Sequence, residues 1–181
     1  MNLRRSQVLK AVRTVIERHK VQPSTAVDVY GIARSYGITI IEEPAADNLS
    51  GFLLRDRDEQ TAVIGVNKSH PLTRKRFTVA HELGHYLLHD YEGFHFDGVD
   101  NGLQLRFRDE KSQEGTDVDE REANMFAAEL LMPADFIRME VRSLGQVDLL
   151  GDTKKLDELA RLYKVSSQAL TFRLTNLGQI A

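Results

Sequence analysis

Apolar positions in this chain follow two periods, and the switches between them predict the order of elements. Val8, Val12, Val15 and Ile16 recur at three- to four-residue spacing, which predicts an amphipathic helix over 4–19 that ends before Pro23. Ser24 or Thr25 is the expected cap of a second helix over 27–36, closed by Gly37. The β-branched run Ile38-Thr39-Ile40-Ile41, then 51–54 and 62–66, predict three strands, the last two a hairpin around the charged turn 55–60. From Leu72 the period returns to 3.6: Phe77, Ala80, Leu83, Gly84, Leu87 and Leu88 predict one long helix to about His89. Further helices are expected over 119–132, stopped by Pro133, over 134–144, ended by Gly145, and as a terminal pair over 154–163 and 166–177. Residues 90–117 carry four glycines and few apolar runs, and read as a long irregular connection. The expected class is α+β: a small, about three-stranded antiparallel sheet packed on the central helix, with additional N- and C-terminal helices.

Composition narrows the class. The 181 residues are 41% apolar and 28% charged with only 4 prolines, which excludes a largely disordered chain and suits one domain over 1–181. Within it, 1–36 form the N-terminal helices, 37–133 the core and 134–181 a C-terminal helical part. The absence of cysteine excludes disulfides, thiolate catalysis and Cys-ligated metals, so any metal must be held by His, Asp or Glu. No run approaches the roughly 18 apolar residues of a membrane span, and residues 1–20 lack the continuous apolar stretch of a signal peptide. A cytoplasmic location is expected. The net charge of −3 neither attracts nor repels nucleic acid strongly, but residues 1–20 hold six Lys/Arg against Glu17, and 90–122 hold eleven Asp/Glu against four Lys/Arg. That acidic neighbourhood favours a basic ligand or partner.

The chemistry is concentrated in His81-Glu82-Leu83-Gly84-His85, an H-E-x-x-H motif inside the stretch already assigned to a helix. Residues four apart differ by about 40° around a helix and lie about 6 Å apart, so both imidazoles can face one Zn²⁺. Glu82 lies about 100° further round, where it can reach a water as a general base without ligating the metal. The competing explanation, a chance match on a surface helix, sits poorly with the uncharged, apolar residues that flank the motif.

A catalytic zinc commonly takes three protein ligands. His89 is about 12 Å from His81 along the helix axis, too far to share a metal comfortably, so it is expected to be a packed histidine or one supporting a ligand. Tyr91 stands where some zinc proteases carry a third histidine, which favours a carboxylate. Glu120 is the best source: Glu120, Ala123, Asn124, Ala127 and Leu131 share a helix face, and the small Ala123 and Ala127 opposite Gly84 would let two helices approach closely. Asn124 is then expected to hydrogen-bond a ligating histidine, and Glu122, pointing away, to be a solvated or salt-bridged surface acid. With nitrogen and oxygen donors only, Mn²⁺ is an alternative to Zn²⁺.

His81-Glu82-Leu83-Gly84-His85-Tyr86-Leu87-Leu88-His89, with Glu120-x-x-Ala123-Asn124-x-Phe126-Ala127 and Leu130-Leu131-Met132-Pro133, resembles the ImmA/IrrE family of zinc metallo-endopeptidases. The resemblance covers about residues 25–135, including Phe77-Thr78 and Phe107-Arg108-Asp109. It implies a gluzincin-like site in a cytosolic bacterial or prophage protease that cuts helix-turn-helix repressors of the XRE type to release silenced genes. It makes His81, His85 and Glu120 the metal ligands and Glu82 the catalytic residue. Members with an appended sensor domain are longer, so none is expected in this chain.

Four further expectations follow. Strand 50–54 or 62–66 would hold the substrate backbone by strand addition. Tyr86, His89, Tyr91 or His95 would donate a hydrogen bond to the carbonyl oxygen in the transition state. Residues 90–117 would act either as an acidic lid for a basic substrate or as a plain solvated loop. The helix-turn-helix spacing over 155–177 raises a DNA-binding or partner-binding regulator as the rival function, but Lys164 occupies the turn where glycine is common, and Leu170, Phe172, Leu174 and Leu177 cover much of the second helix. A structural helical pair is favoured, and direct nucleic-acid binding is not expected.

Overall fold

The computed structural model describes residues 3–56, 58–90, 93–97, 113–144 and 153–179. Helix α1 (Leu3–Arg18) buries the valine stripe, with Val8, Val12 and Val15 all nearly inaccessible. Helix α2 (Val29–Ser35) is shorter than expected because Asp28, not Ser24 or Thr25, is its cap: the Asp28 carboxylate accepts from Gly31 N at 3.0 Å. Ser24 has a left-handed backbone, φ 59°, and donates to Glu140 instead. Gly37, φ 79°, ends α2 as a glycine in the left-handed region does.

Strands β1 (Ile38–Glu43), β2 (Gly51–Asp56) and β3 (Thr61–Asn67) follow, with β2 and β3 forming the expected antiparallel hairpin, Phe52 opposite Gly65. The sheet departs from expectation in two respects. It is mixed, because β1 pairs parallel to β3, and it has four strands in the order β1-β3-β2-β4, because β4 (Gly93–Asp97) adds antiparallel to β2 inside the segment expected to be irregular.

Parallel pairing of β1 and β3 requires the chain to cross over the end of β3 through 44–50, and Asn67 holds that crossing. Its side-chain amide donates to the carbonyls of Ala45, Ala46 and Leu49 at 3.0–3.1 Å, while its oxygen accepts from Ala45 N at 3.2 Å and Ser69 N at 3.0 Å. Asn67 is 2% exposed, so no water is ready to replace these bonds. Asn67→Ala is expected to destabilise the protein by about 2–4 kcal/mol, since several backbone groups lose their partner at once. Urea titration should show a lower midpoint with an unchanged m-value; an unchanged midpoint would mean that the crossover does not depend on Asn67.

Helix α3 (Leu72–Leu88) lies across the sheet, and α4 (Gln113–Leu131) packs along α3, beginning six residues before the expected start. Leu53, Ile64, Val66, Val79 and Leu83 fill the space between sheet and α3, and Phe126, Leu130 and Leu131 of α4 join the same core as the α1 valines. Arg76 of α3 is buried and donates to the Val27 carbonyl at 2.7 Å; burial pushes its pKa down, and the nearby Asp28 carboxylate opposes that shift. At the sheet's edge Glu42 accepts from Lys75 at 2.7 Å and Tyr30 at 2.8 Å; the Lys75 bond, first of all, holds its carboxyl below the usual range.

Helix α5 (Ala134–Ser143) follows Pro133, and α6 (Thr153–Tyr163) and α7 (Ser167–Asn176) form the terminal pair. Lys164 takes φ 52° at the turn between them, a conformation that glycine adopts more readily. Leu170 and Leu174 are buried as expected, whereas Phe172 is 66% exposed. Arg173, the sole cation in α7, is tied to Glu129 and to the Met132 carbonyl. The helix that would have to read DNA therefore has its cation engaged within the protein. Among the described residues, no helix is long and apolar enough to cross a membrane.

Candidate metal centre

Close contact between α3 and α4 assembles the site. A Cβ added at Gly84 would stand 3.2 Å from the Ala123 Cα and 3.1 Å from the Phe126 ring, so glycine at 84 and alanine at 123 set the distance between the helices. His81 and His85 lie on the face of α3 toward α4 and are essentially inaccessible, at 1% and 0%. Phe77, one turn earlier, stacks on the His81 ring with centroids 6.1 Å apart.

Three donors converge there. His81 Nε2 and His85 Nε2 are 2.9 Å apart, and the Glu120 carboxylate lies 3.3 Å from the first and 3.4 Å from the second. A tetrahedral ion with bonds of about 2.0–2.1 Å keeps its ligand atoms about 3.3 Å from one another, and the observed spread falls around that value. Two ring nitrogens facing each other at 2.9 Å in a buried setting also need a cation or a proton between them. The residues thus fit a zinc ion, with nitrogen and oxygen donors of the expected kind. Glu82, one residue beyond His81, is fully buried in the same helix.

The other expected residues distribute as follows. Asn124 is exposed and lines a neighbouring cavity, the opposite of the expected hydrogen bond to a histidine. Tyr86 carries the Arg55 guanidinium over its ring at 4.6 Å. His89 ends α3 with extended backbone and reaches His85, Nδ1 to Nδ1, at 3.1 Å. Tyr91 and 98–112, with Phe107-Arg108-Asp109, lie outside the described residues, as does the side chain of His95, whose backbone belongs to β4.

Two features differ from the sequence reading. Strands β2 and β3 are interior to the sheet, so neither can accept an added strand; among the described residues β1 and β4 are its edges. Glu122 is salt-bridged, one of the two states expected of it, but it does not lie on the surface: its side chain is 16% exposed, with one oxygen 3.2 Å from His89 Nε2 and the other 3.7 Å from Arg4. Counting angles around α4 against α3 alone missed this, because His89 leaves the helical path and α1 covers the other flank.

Beside the site lies a cavity of about 470 Å³ between the start of α3, the end of α4 and α7. Phe77, Ala128, Leu131 and Ala169 give it apolar walls, and it is reached one turn from His81 on α3 and one turn from Glu120 on α4.

The Peptidase_M78 family model, an IrrE N-terminal-like domain, matches residues 33–175. Among solved structures, a Mycobacterium tuberculosis transcriptional regulator is similar in fold with a TM-score of 0.57 at 19% identity, over 93% of this chain and 46% of that one. This chain thus spans about half the length of that protein. No curated protein sequence matches significantly.

Proposed function

We propose, from the premise that this chain belongs to the Peptidase M78 (IrrE N-terminal-like) family of metallopeptidases, that it is a cytoplasmic zinc endopeptidase that cleaves a helix-turn-helix repressor of the XRE type. The role would be relief of repression in a phage, mobile-element or stress-response circuit. The observation that carries the chemistry is the convergence of His81, His85 and Glu120 within 3.4 Å of one another, next to the buried Glu82.

His81, His85 and Glu120 would hold Zn²⁺, which when bound supplies the Lewis acidity that polarises a scissile carbonyl and lowers the pKa of water. Glu82 takes the proton of the attacking water and passes it to the leaving amine, so one residue serves as base and then as acid. Among the described residues β4 is an edge strand, and an extended peptide substrate would add along its outer side, backbone to backbone. A large apolar side chain of the substrate suits the cavity walled by Phe77, Leu131 and Ala169. The surplus of carboxylates in 90–122 suits a basic, DNA-binding substrate. That the similar M. tuberculosis protein is a transcriptional regulator is in keeping with a role in gene control.

The test is incubation of the zinc-loaded protein with a panel of purified XRE-type repressors, with fragments mapped by mass spectrometry. One defined cut that a chelator stops is the expected result. An intact repressor, together with tight and specific operator binding by this chain, would favour the rival DNA-binding function.

A further inference from the structure

The reading of His81, His85 and Glu120 as zinc ligands leaves His89, Asp119 and Glu122 without a role, although their ligand atoms form a second cluster against the first. Resting on that reading, we propose that His89 is a positioning residue that fixes the orientation and tautomer of His85, and that Glu122 fixes His89 in turn.

The proton positions follow from the distances. His85 Nε2 faces His81 Nε2 at 2.9 Å and Glu120 at 3.4 Å, so to ligate a metal it must present a lone pair. A neutral imidazole carries one N–H, which in His85 then sits on Nδ1. That atom is 3.1 Å from His89 Nδ1, and two nitrogens facing each other share a single proton. His85 donates and His89 accepts. The N–H of His89 is thereby assigned to Nε2, which lies 3.2 Å from a Glu122 oxygen and 3.7 Å from Asp119. A carboxylate only accepts, so the acid at the end of the row fixes the sense of every bond before it.

Local structure makes this row possible. At His89 the backbone turns extended, φ −122° and ψ 148°, and the ring comes off the helical path toward the second and third turns of α4, which carry Asp119 and Glu122. Arg4 of α1, 3.7 Å from the second Glu122 oxygen, steadies the acid from behind. His89 is 7% exposed, so solvent competes little for either ring nitrogen.

Outer hydrogen-bond partners of this kind are worth about 10–100-fold in metal affinity. Zinc affinity of the full chain, measured by competition with a chromophoric chelator, should fall by that factor in His89→Ala. His89→Asn places an amide oxygen where Nδ1 stood and should restore affinity to within about threefold of wild type, whereas His89→Leu, of similar size, should not. Melting of the metal-free variants separates this effect from loss of fold. Ring ¹⁵N shifts of zinc-loaded wild type decide the point without any substitution: the proton is expected on Nδ1 of His85 and on Nε2 of His89. Zinc binding by His89→Ala and His89→Leu as tight as wild type, or a proton found on His89 Nδ1, would overturn the proposal alone. Two zinc ions per wild-type chain, one lost in His89→Ala, would overturn it in favour of a second metal site. Wild type that binds no zinc would overturn the metal centre itself, and this inference with it.

Discussion

Replacing Glu82 by Gln is expected to lower kcat for repressor cleavage by about 10²–10⁴-fold, or roughly 3–5 kcal/mol in barrier height, with little change in KM. The amide has the same shape as the carboxylate, so helix α3 and both histidines stay where they are. It cannot accept the proton of the attacking water, and it has none to return to the leaving amine. Because Glu82 is fully buried, no solvent base stands ready in its place. Zinc content should remain at wild-type level, which separates loss of the base from loss of the metal. Cleavage by Glu82→Gln at the wild-type rate would remove Glu82 from the mechanism, even if the metal reading survived.

The central helix was legible because two independent patterns coincide on it. The 3.6-residue apolar period places Leu83 and Val79 toward the sheet, and the four-residue spacing of His81 and His85 places both rings on the α4 side. The close approach of α4 was legible too, from the small residues Gly84, Ala123 and Ala127. Strand β4 was not, although Phe94 and Phe96 alternate with polar neighbours in the period of a strand. Five residues amid a glycine-rich acidic stretch are a weak local signal, and β4 exists through backbone pairing with β2, some forty residues away in the chain. Parallel pairing of β1 with β3 is likewise a property of the crossover that Asn67 ties down, and hydrophobic alternation within a strand is the same for either direction. Glu122 illustrates a third limit. A helical wheel shows which way a side chain leaves its own helix, but not that His89 and Arg4 from two other elements will meet it there.

Zinc is expected to bind at one ion per chain and to raise Tm by roughly 8–16 °C at a thousandfold excess over Kd. Binding to the folded state alone contributes about 4 kcal/mol under that condition, and a domain of this size moves about 2–4 °C per kcal/mol. Binding to the folded state alone follows from the location of the donors: His81 and His85 come from α3 and Glu120 from α4, so the unfolded chain does not bring the three together, and a bound ion would bridge the two helices. His81→Ala and His85→Ala should each weaken zinc by roughly 10²–10³-fold, taking a binding free energy of about 10–16 kcal/mol as shared among some four ligands. The zinc-induced shift in Tm should shrink by about 3–4 kcal/mol worth of stabilisation in both. Glu120→Ala should behave in the same way although Glu120 is a third exposed, because its oxygens face both ring nitrogens. Full zinc occupancy and an undiminished thermal shift in Glu120→Ala would take Glu120 out of the ligand set and leave the two histidines in search of another carboxylate.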